Sequence, residues 1–153
     1  MSTQKELDAI FMKAAKEEAL AGLAENGIPI GAVLVRNGEI ISRGRNQRVQ
    51  KGNAILHAEM DCLMNAGRQR TYRDTTLYSS LAPCYMCSGA AVQFKVGRVV
   101  AGEDKNFPGD PKFFEQHGVP YSVMQDPELI KVMADFIEAR PELWFEDIGE
   151  IEE

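Results

Sequence analysis

The sequence predicts an α/β fold, with a mixed sheet of about five strands and helices on both faces. Two observations carry this. Segments with helical apolar spacing alternate with short runs of strand-forming residues, the pattern of layered α/β architectures. Near the start, Asn37-Gly38 joins two such runs. Asn-Gly between apolar segments is a strong hairpin signal, so the sheet cannot be wholly parallel.

The elements follow in order. From about Glu6 to Glu25, Leu7, Ile10, Phe11, Ala14, Ala15 and Ala19 share one helical face. Asn26-Gly27 stops that helix. Gly31 to Val35 reads as a buried strand, and Glu39 to Ser42 as its returning partner. A helix is expected from about Ala54 to Ala66, ending at Gly67. Thr75 to Ser79 is a short strand, and Pro83 suits the first turn of a helix running to about Phe94. Val99 to Ala101 and Tyr121 to Met124 are strands. The helix from Pro127 to Ala139 must stop before Pro141. Beyond it lies an acidic tail with Leu143, Trp144, Phe145 and Ile148, which on these residues alone reads as a segment docked on the core.

With 153 residues, 44% of them hydrophobic, the chain suits one domain over 1–153 with a core of its own. A net charge of -6 argues against tracking a nucleic-acid backbone, because that affinity comes from Lys and Arg neutralising phosphates. The basic stretch Arg43, Arg45, Arg48 and Lys51 reads as a solvated loop. No apolar run reaches membrane-spanning length, and the polar N-terminus lacks a secretory apolar core. A cytoplasmic protein without membrane contact is therefore expected. In a reducing compartment the close pair Cys84 and Cys87 points to metal or redox work.

The chemistry is concentrated in His57-Ala58-Glu59 and Pro83-Cys84-Tyr85-Met86-Cys87, each at the start of an expected helix. This is the H-x-E…P-C-x-x-C pattern of zinc nucleobase deaminases. One imidazole and two thiolates occupy three of zinc's four tetrahedral positions and leave one for water. Cys84 and Cys87 lie one helical turn apart, at the helix end whose dipole favours thiolates. His57, Cys84 and Cys87 are thus the expected ligands of one Zn2+ per chain. Glu59 is assigned as the proton shuttle. A redox reading of the cysteines leaves His57-Ala-Glu59 unexplained. A purely structural zinc site wants a fourth protein ligand; Cys62 reads instead as a small buried residue, and His117, at a helix end before Gly118, as solvated or capping.

Longer stretches carry a family resemblance. Ile28-Pro-Ile-Gly31, Leu56-His-Ala-Glu59, Thr75-Thr-Leu-Tyr78 and Pro83-Cys-Tyr-Met-Cys-Ser-Gly-Ala90 resemble the cytidine deaminase-like superfamily. Gly44-Arg-Asn46-Gln-Arg48, Val100-Ala-Gly-Glu103, Asn106-Phe107 and Arg140-Pro-Glu-Leu-Trp-Phe-Glu-Asp-Ile-Gly-Glu150 resemble its small fungal-type cytosine deaminases and their bacterial relatives. The resemblance implies a three-layer α/β/α sandwich, a homodimer, and residues 141–153 covering the active site. It implies that Asn46 bonds the polar edge of a pyrimidine and that Asp147 accepts from the exocyclic amine. Phe107 and Trp144 would pack on the ring, Ile30 would line the pocket, and the Ala58 N–H would bind the base. Three positions depart from the fungal pattern: Ala58 stands for glycine, Ala82 for serine and Tyr85 for an acidic residue.

The expected activity is hydrolysis of cytosine to uracil and ammonia, within pyrimidine salvage. Isocytosine or another amino-pyrimidine or amino-lactam, and guanine, are the alternative substrates. An RNA-editing deaminase and a non-catalytic zinc module are the competing functions.

Overall fold

The computed structural model describes residues 2–151. The element order is α1 (Gln4–Ala24), β1 (Gly31–Arg36), β2 (Glu39–Arg45), α2 (Arg48–Lys51), α3 (Ala58–Ala66) and β3 (Thr75–Ser79). Then come α4 (Tyr85–Gln93), β4 (Arg98–Ala101), α5 (Pro111–Gln116), β5 (Tyr121–Val123), α6 (Pro127–Ala139) and α7 (Pro141–Asp147). The sheet has five strands in the order β2-β1-β3-β4-β5. The β1–β2 hairpin and the β1–β3 pair are antiparallel, whereas β3–β4 and β4–β5 are parallel. The mixed sheet expected from Asn37-Gly38 is present.

Residues alternate across this sheet, as the pleat requires. Ala32, Leu34, Leu77 and Val99 join Ala58, Cys62, Leu63, Ala91 and Phe114 in one apolar cluster. Val33, Val35, Tyr78 and Val100 join Phe11, Met12, Ala15 and Leu129 in another. Helices α3, α4 and α5 thus meet one face and α1 the other, while α6 contributes to both clusters. Gly44 lets α3 approach closely: a Cβ there would lie 2.2 Å from the Cys62 backbone nitrogen. That contact seats the start of α3 over β2.

Helix ends follow their local chemistry. The Thr3 hydroxyl caps α1 by accepting from the Glu6 N–H, and Asp126 caps α6 ahead of Pro127. Four features differ from the sequence expectations. The helix expected over 54–66 begins only at Ala58, because His57 is extended (ψ 159°) as its N-cap. The residues before it instead form the one-turn α2, ended by Gly52 in the left-handed region, and a turn in which the Ile55 N–H donates to Asn53 Oδ1. Likewise α4 starts after Cys84 rather than at Pro83. The tail residues 141–147 form a helix, α7, started by Pro141. Finally, Ile10 is 57% exposed although its spacing puts it on one helical face with Phe11, Ala14 and Ala15. The buried face turns instead toward Asp8, Phe11, Met12, Ala15 and Ala19.

Asp8 occupies that face because it is fully engaged. Its Oδ1 accepts from Tyr78 Oη at 2.6 Å, and Arg98 donates to both of its oxygens at 2.8 and 2.7 Å. Burial works against the carboxylate, but the Arg98, Tyr78 and Gln4 hydrogen bonds outweigh it and hold its pKa below the ordinary value. A group depressed in the folded state stabilises fully above its unfolded pKa, about 4, and loses that contribution as pH falls through the folded value. Asp8→Ala is expected to lower the unfolding free energy by about 2 kcal/mol at neutral pH. The gap to the parent protein should close below about pH 4 in urea melts; a gap independent of pH would refute this role.

Candidate active site

Two helix N-termini converge on one point. His57 is the N-cap of α3 and Cys84 the N-cap of α4, with Cys87 in the first turn of α4. The ligating atoms of His57, Cys84 and Cys87 all lie within 4.8 Å of one another. His57 Nδ1 faces the Cys84 sulfur at 3.4 Å, and Nε2 lies 3.3 Å from Asp147 Oδ1. One ring nitrogen is thus free to ligate while a carboxylate orients the other, the usual arrangement behind a metal-bound histidine.

The protonation chemistry fits a cation. The hydrogen bond with Cys87, aided by His57, pulls Cys84 down to about 4 despite burial. That same bond, together with burial and the charge of Glu59, pushes Cys87 well above its ordinary value. Burial opposes the His57 imidazolium, yet Asp147 and Cys84 raise its pKa to about 10. The protein alone therefore holds one thiolate, one thiol and an imidazolium. A divalent ion favours the loss of both remaining protons, so the donor set matches a metal that binds by displacing protons. One imidazole and two thiolates suit zinc.

Glu59 is 4% exposed beside these ligands. Burial, then the Cys84 charge, raises its pKa to about 7. A carboxyl poised near neutrality is matched to both accepting and delivering a proton.

Asn46 is fully buried just after β2. Its N–H donates to the Ile30 carbonyl at 2.9 Å. Its Nδ2 lies 3.3 and 3.2 Å from the two Asp147 oxygens, and its Oδ1 accepts from the Arg48 N–H at 3.0 Å. Asp61 steadies this corner by accepting from the Arg45 N–H and from Gln47 Nε2, on either side of Asn46. Phe107 and Trp144 meet edge to face with centroids 6.1 Å apart. Ile30, Glu59, Ala82, Phe107, Trp144 and Asp147 line a narrow, open-sided inner chamber of about 20 Å³ against His57 and Cys84. Outside it lies a vestibule of about 590 Å³, bordered by Arg48, Tyr85, Asp110, Glu146 and Glu150. Asn46 and Ala58 border neither space directly. Ala58 is the first residue of α3, so its N–H has no partner within the helix. Cys62 is fully buried against Ser42 and His117 is exposed at the end of α5, both away from the cluster.

Asp61 and a second contributor were not singled out from the sequence. Glu103 is fully buried and accepts from the Lys105 and Asn106 N–H groups and from Asn106 Nδ2, which shapes the loop carrying Phe107. Only its place directly after the apolar run Val99–Gly102 hints at burial.

Comparison with known proteins agrees with this geometry. The family described as the cytidine and deoxycytidylate deaminase zinc-binding region matches residues 5–103. The chain belongs to this family. A cytosine deaminase of Candida albicans is 43% identical over 142 residues, 91% of this chain and 95% of that protein. A tRNA-specific adenosine deaminase of Streptococcus pyogenes is 39% identical over 109 residues, 69% of each chain. Among solved structures, one from a study of A-to-I editing by tRNA:A34 deaminases superposes with a TM-score of 0.74 at 28% identity, covering 81% of this chain and 99% of the other. The family's fold is the mixed α/β sandwich described above, and its members are deaminases that cleave a C–N bond by hydrolysis. No described helix is long and apolar enough to cross a membrane.

The purified protein is expected to carry about one zinc per chain by elemental analysis. Cys87→Ala should lower that content at least tenfold, and acidification should weaken retention because the ligands must be deprotonated. Full zinc content in Cys87→Ala would remove this residue from the ligand set.

Proposed function

We propose that the protein deaminates a free nucleobase, converting cytosine and water to uracil and ammonia with one zinc ion per chain. The observation that carries this reading is the narrow inner space beside the ligand cluster. Trp144, Asp147 and Phe107 border the ligand cluster and narrow the space in front of it, which favours a small free base over one carried on a polymer. The similarity to the Candida cytosine deaminase across most of both chains supports the same substrate.

Zinc held by His57, Cys84 and Cys87 would supply Lewis-acid activation of water. The remaining work falls to the chain. Glu59 takes the proton from the water and returns it to the ring nitrogen, and a further proton transfer through it releases the amine as ammonia. The Asp147 carboxylate accepts from the exocyclic amine and cannot donate, so it prefers the amino substrate to the oxo product. Asn46 Oδ1 keeps a second lone pair for the base edge, and the Ala58 N–H supplies a donor. Phe107 and Trp144 bracket the ring, and Ile30 closes one wall.

The Streptococcus tRNA deaminase supports a second reading, adenosine in RNA. Against it stand the net charge of -6 and a vestibule where Asp110, Glu146 and Glu150 outnumber the single arginine, Arg48. Phosphates would be repelled there. Isocytosine and guanine stay within the same chemistry. The reading places the enzyme in cytoplasmic pyrimidine salvage as a homodimer. The exposed Ile55, Met64, Tyr85 and Phe94, on and beside α3 and α4, would supply apolar surface for a second copy.

Ammonia release from cytosine, isocytosine, cytidine, adenine and guanine is the direct test. Release from cytosine with little from cytidine is expected; turnover of guanine or isocytosine alone would replace the substrate and keep the chemistry. Glu59→Gln should cut turnover by about 10²- to 10⁴-fold with zinc retained. Asp147→Ala should lower kcat/KM for cytosine on the order of tenfold to a hundredfold. Unchanged activity in Asp147→Ala would refute its role at the amine.

A further inference from the structure

The inner chamber of about 20 Å³ has room for roughly one water and far less than any nucleobase. Withdrawal of part of its wall would widen it toward the vestibule, which also reaches His57 and Cys84. Trp144 and Asp147 both belong to α7, a seven-residue helix. Its withdrawal would break three polar contacts: His57 to Asp147, Asn46 to Asp147, and Arg48 to Glu146. The first two are buried. The third lies at the surface, with Arg48 Nε 3.0 Å from Glu146 Oε1 and side chains 20% and 50% exposed.

Arg48 has a second hold on the site. Its backbone N–H donates to Asn46 Oδ1, so one residue contacts both Asn46 and the helix that carries Asp147. These partners are 98 residues apart in sequence from Arg48 at the Glu146 end and two at the other. We propose that Arg48 is a positioning residue, whose ion pair with Glu146 is the outer latch that holds α7 down over the chamber. The pair joins α2 to α7 at the border of the vestibule, where an entering base must pass. For substrate binding this rests on the deaminase reading; the latch itself does not.

An exposed ion pair shifts an opening equilibrium by up to about fivefold and weakens as salt rises. The first test is independent of substrate. Amide hydrogen exchange of Trp144 and Ile148, whose N–H groups bond within α7 to the Arg140 and Trp144 carbonyls, reports the unfolding of this two-turn helix that loss of its hold on the core permits. Glu146→Gln and Arg48→Met should each speed that exchange about twofold to fivefold at low salt. The difference should fade in high salt, and the charge swap Arg48→Glu with Glu146→Arg should restore protection. Unchanged exchange in both single variants, or no recovery in the swap, would overturn the latch. In cytosine deamination, Glu146→Gln should raise KM by a similar factor without lowering kcat. A fall in kcat with KM and exchange unchanged would also overturn it. If no base is deaminated, the deaminase reading fails while the exchange measurement still decides the latch.

Discussion

The approach of two helix N-termini to one point is the constraint on which the rest of the site depends. His57 and Cys84 cap the positive ends of α3 and α4, and their side chains meet with His57 Nδ1 3.4 Å from the Cys84 sulfur. Such an arrangement is unfavourable unless negative charge lies between the ends. The Cys84 sulfur supplies it, with the carboxyl groups of Glu59 and Asp147 beside it. Their own burial would be equally unfavourable elsewhere. The opposing effects shift the pKa values of His57, Glu59, Cys84 and Cys87, a pattern that is common at functional sites.

The scaffold makes this approach possible through small residues and a backbone anchor. Gly44 leaves no Cβ between β2 and α3, so α3 lies directly on the strand. Asp61, on the same helix, ties Arg45 and Gln47 to it and thereby fixes Asn46 between them. On the other side Glu103 gathers the loop that presents Phe107. Elements packed on the sheet hold His57, Cys84 and Cys87, whereas part of the outer wall comes from the short α7. The side chains that could share a metal sit on the core, and the short helix beside them is attached at its edge.

Much of the fold was legible in local pattern. Asn37-Gly38 announced a hairpin that makes the sheet mixed, and Pro127 and Pro141 bounded α6 without error. The misreadings have physical causes. The segment before His57 has helical composition, but the residue must be extended to aim its ring, so α3 starts late. Ile10 looked like a core residue. The polar Asp8 took the inner position because Arg98 and Tyr78, ninety and seventy residues away, complete its hydrogen bonds.

By itself the sequence determined the reactive groups: the His57-Ala-Glu59 and Cys84/Cys87 spacings place each set at a helix start, and spacing within one turn is a local property of the chain. Only the tertiary structure decided that the two sets meet. It also decided that Asp147 turns toward His57 and Asn46, and that Arg48 and Glu146 pair outside them. Those contacts join residues about a hundred positions apart. No periodicity or motif encodes such distances; they exist because α7 packs across the edge of the core and closes the space in front of the ligands.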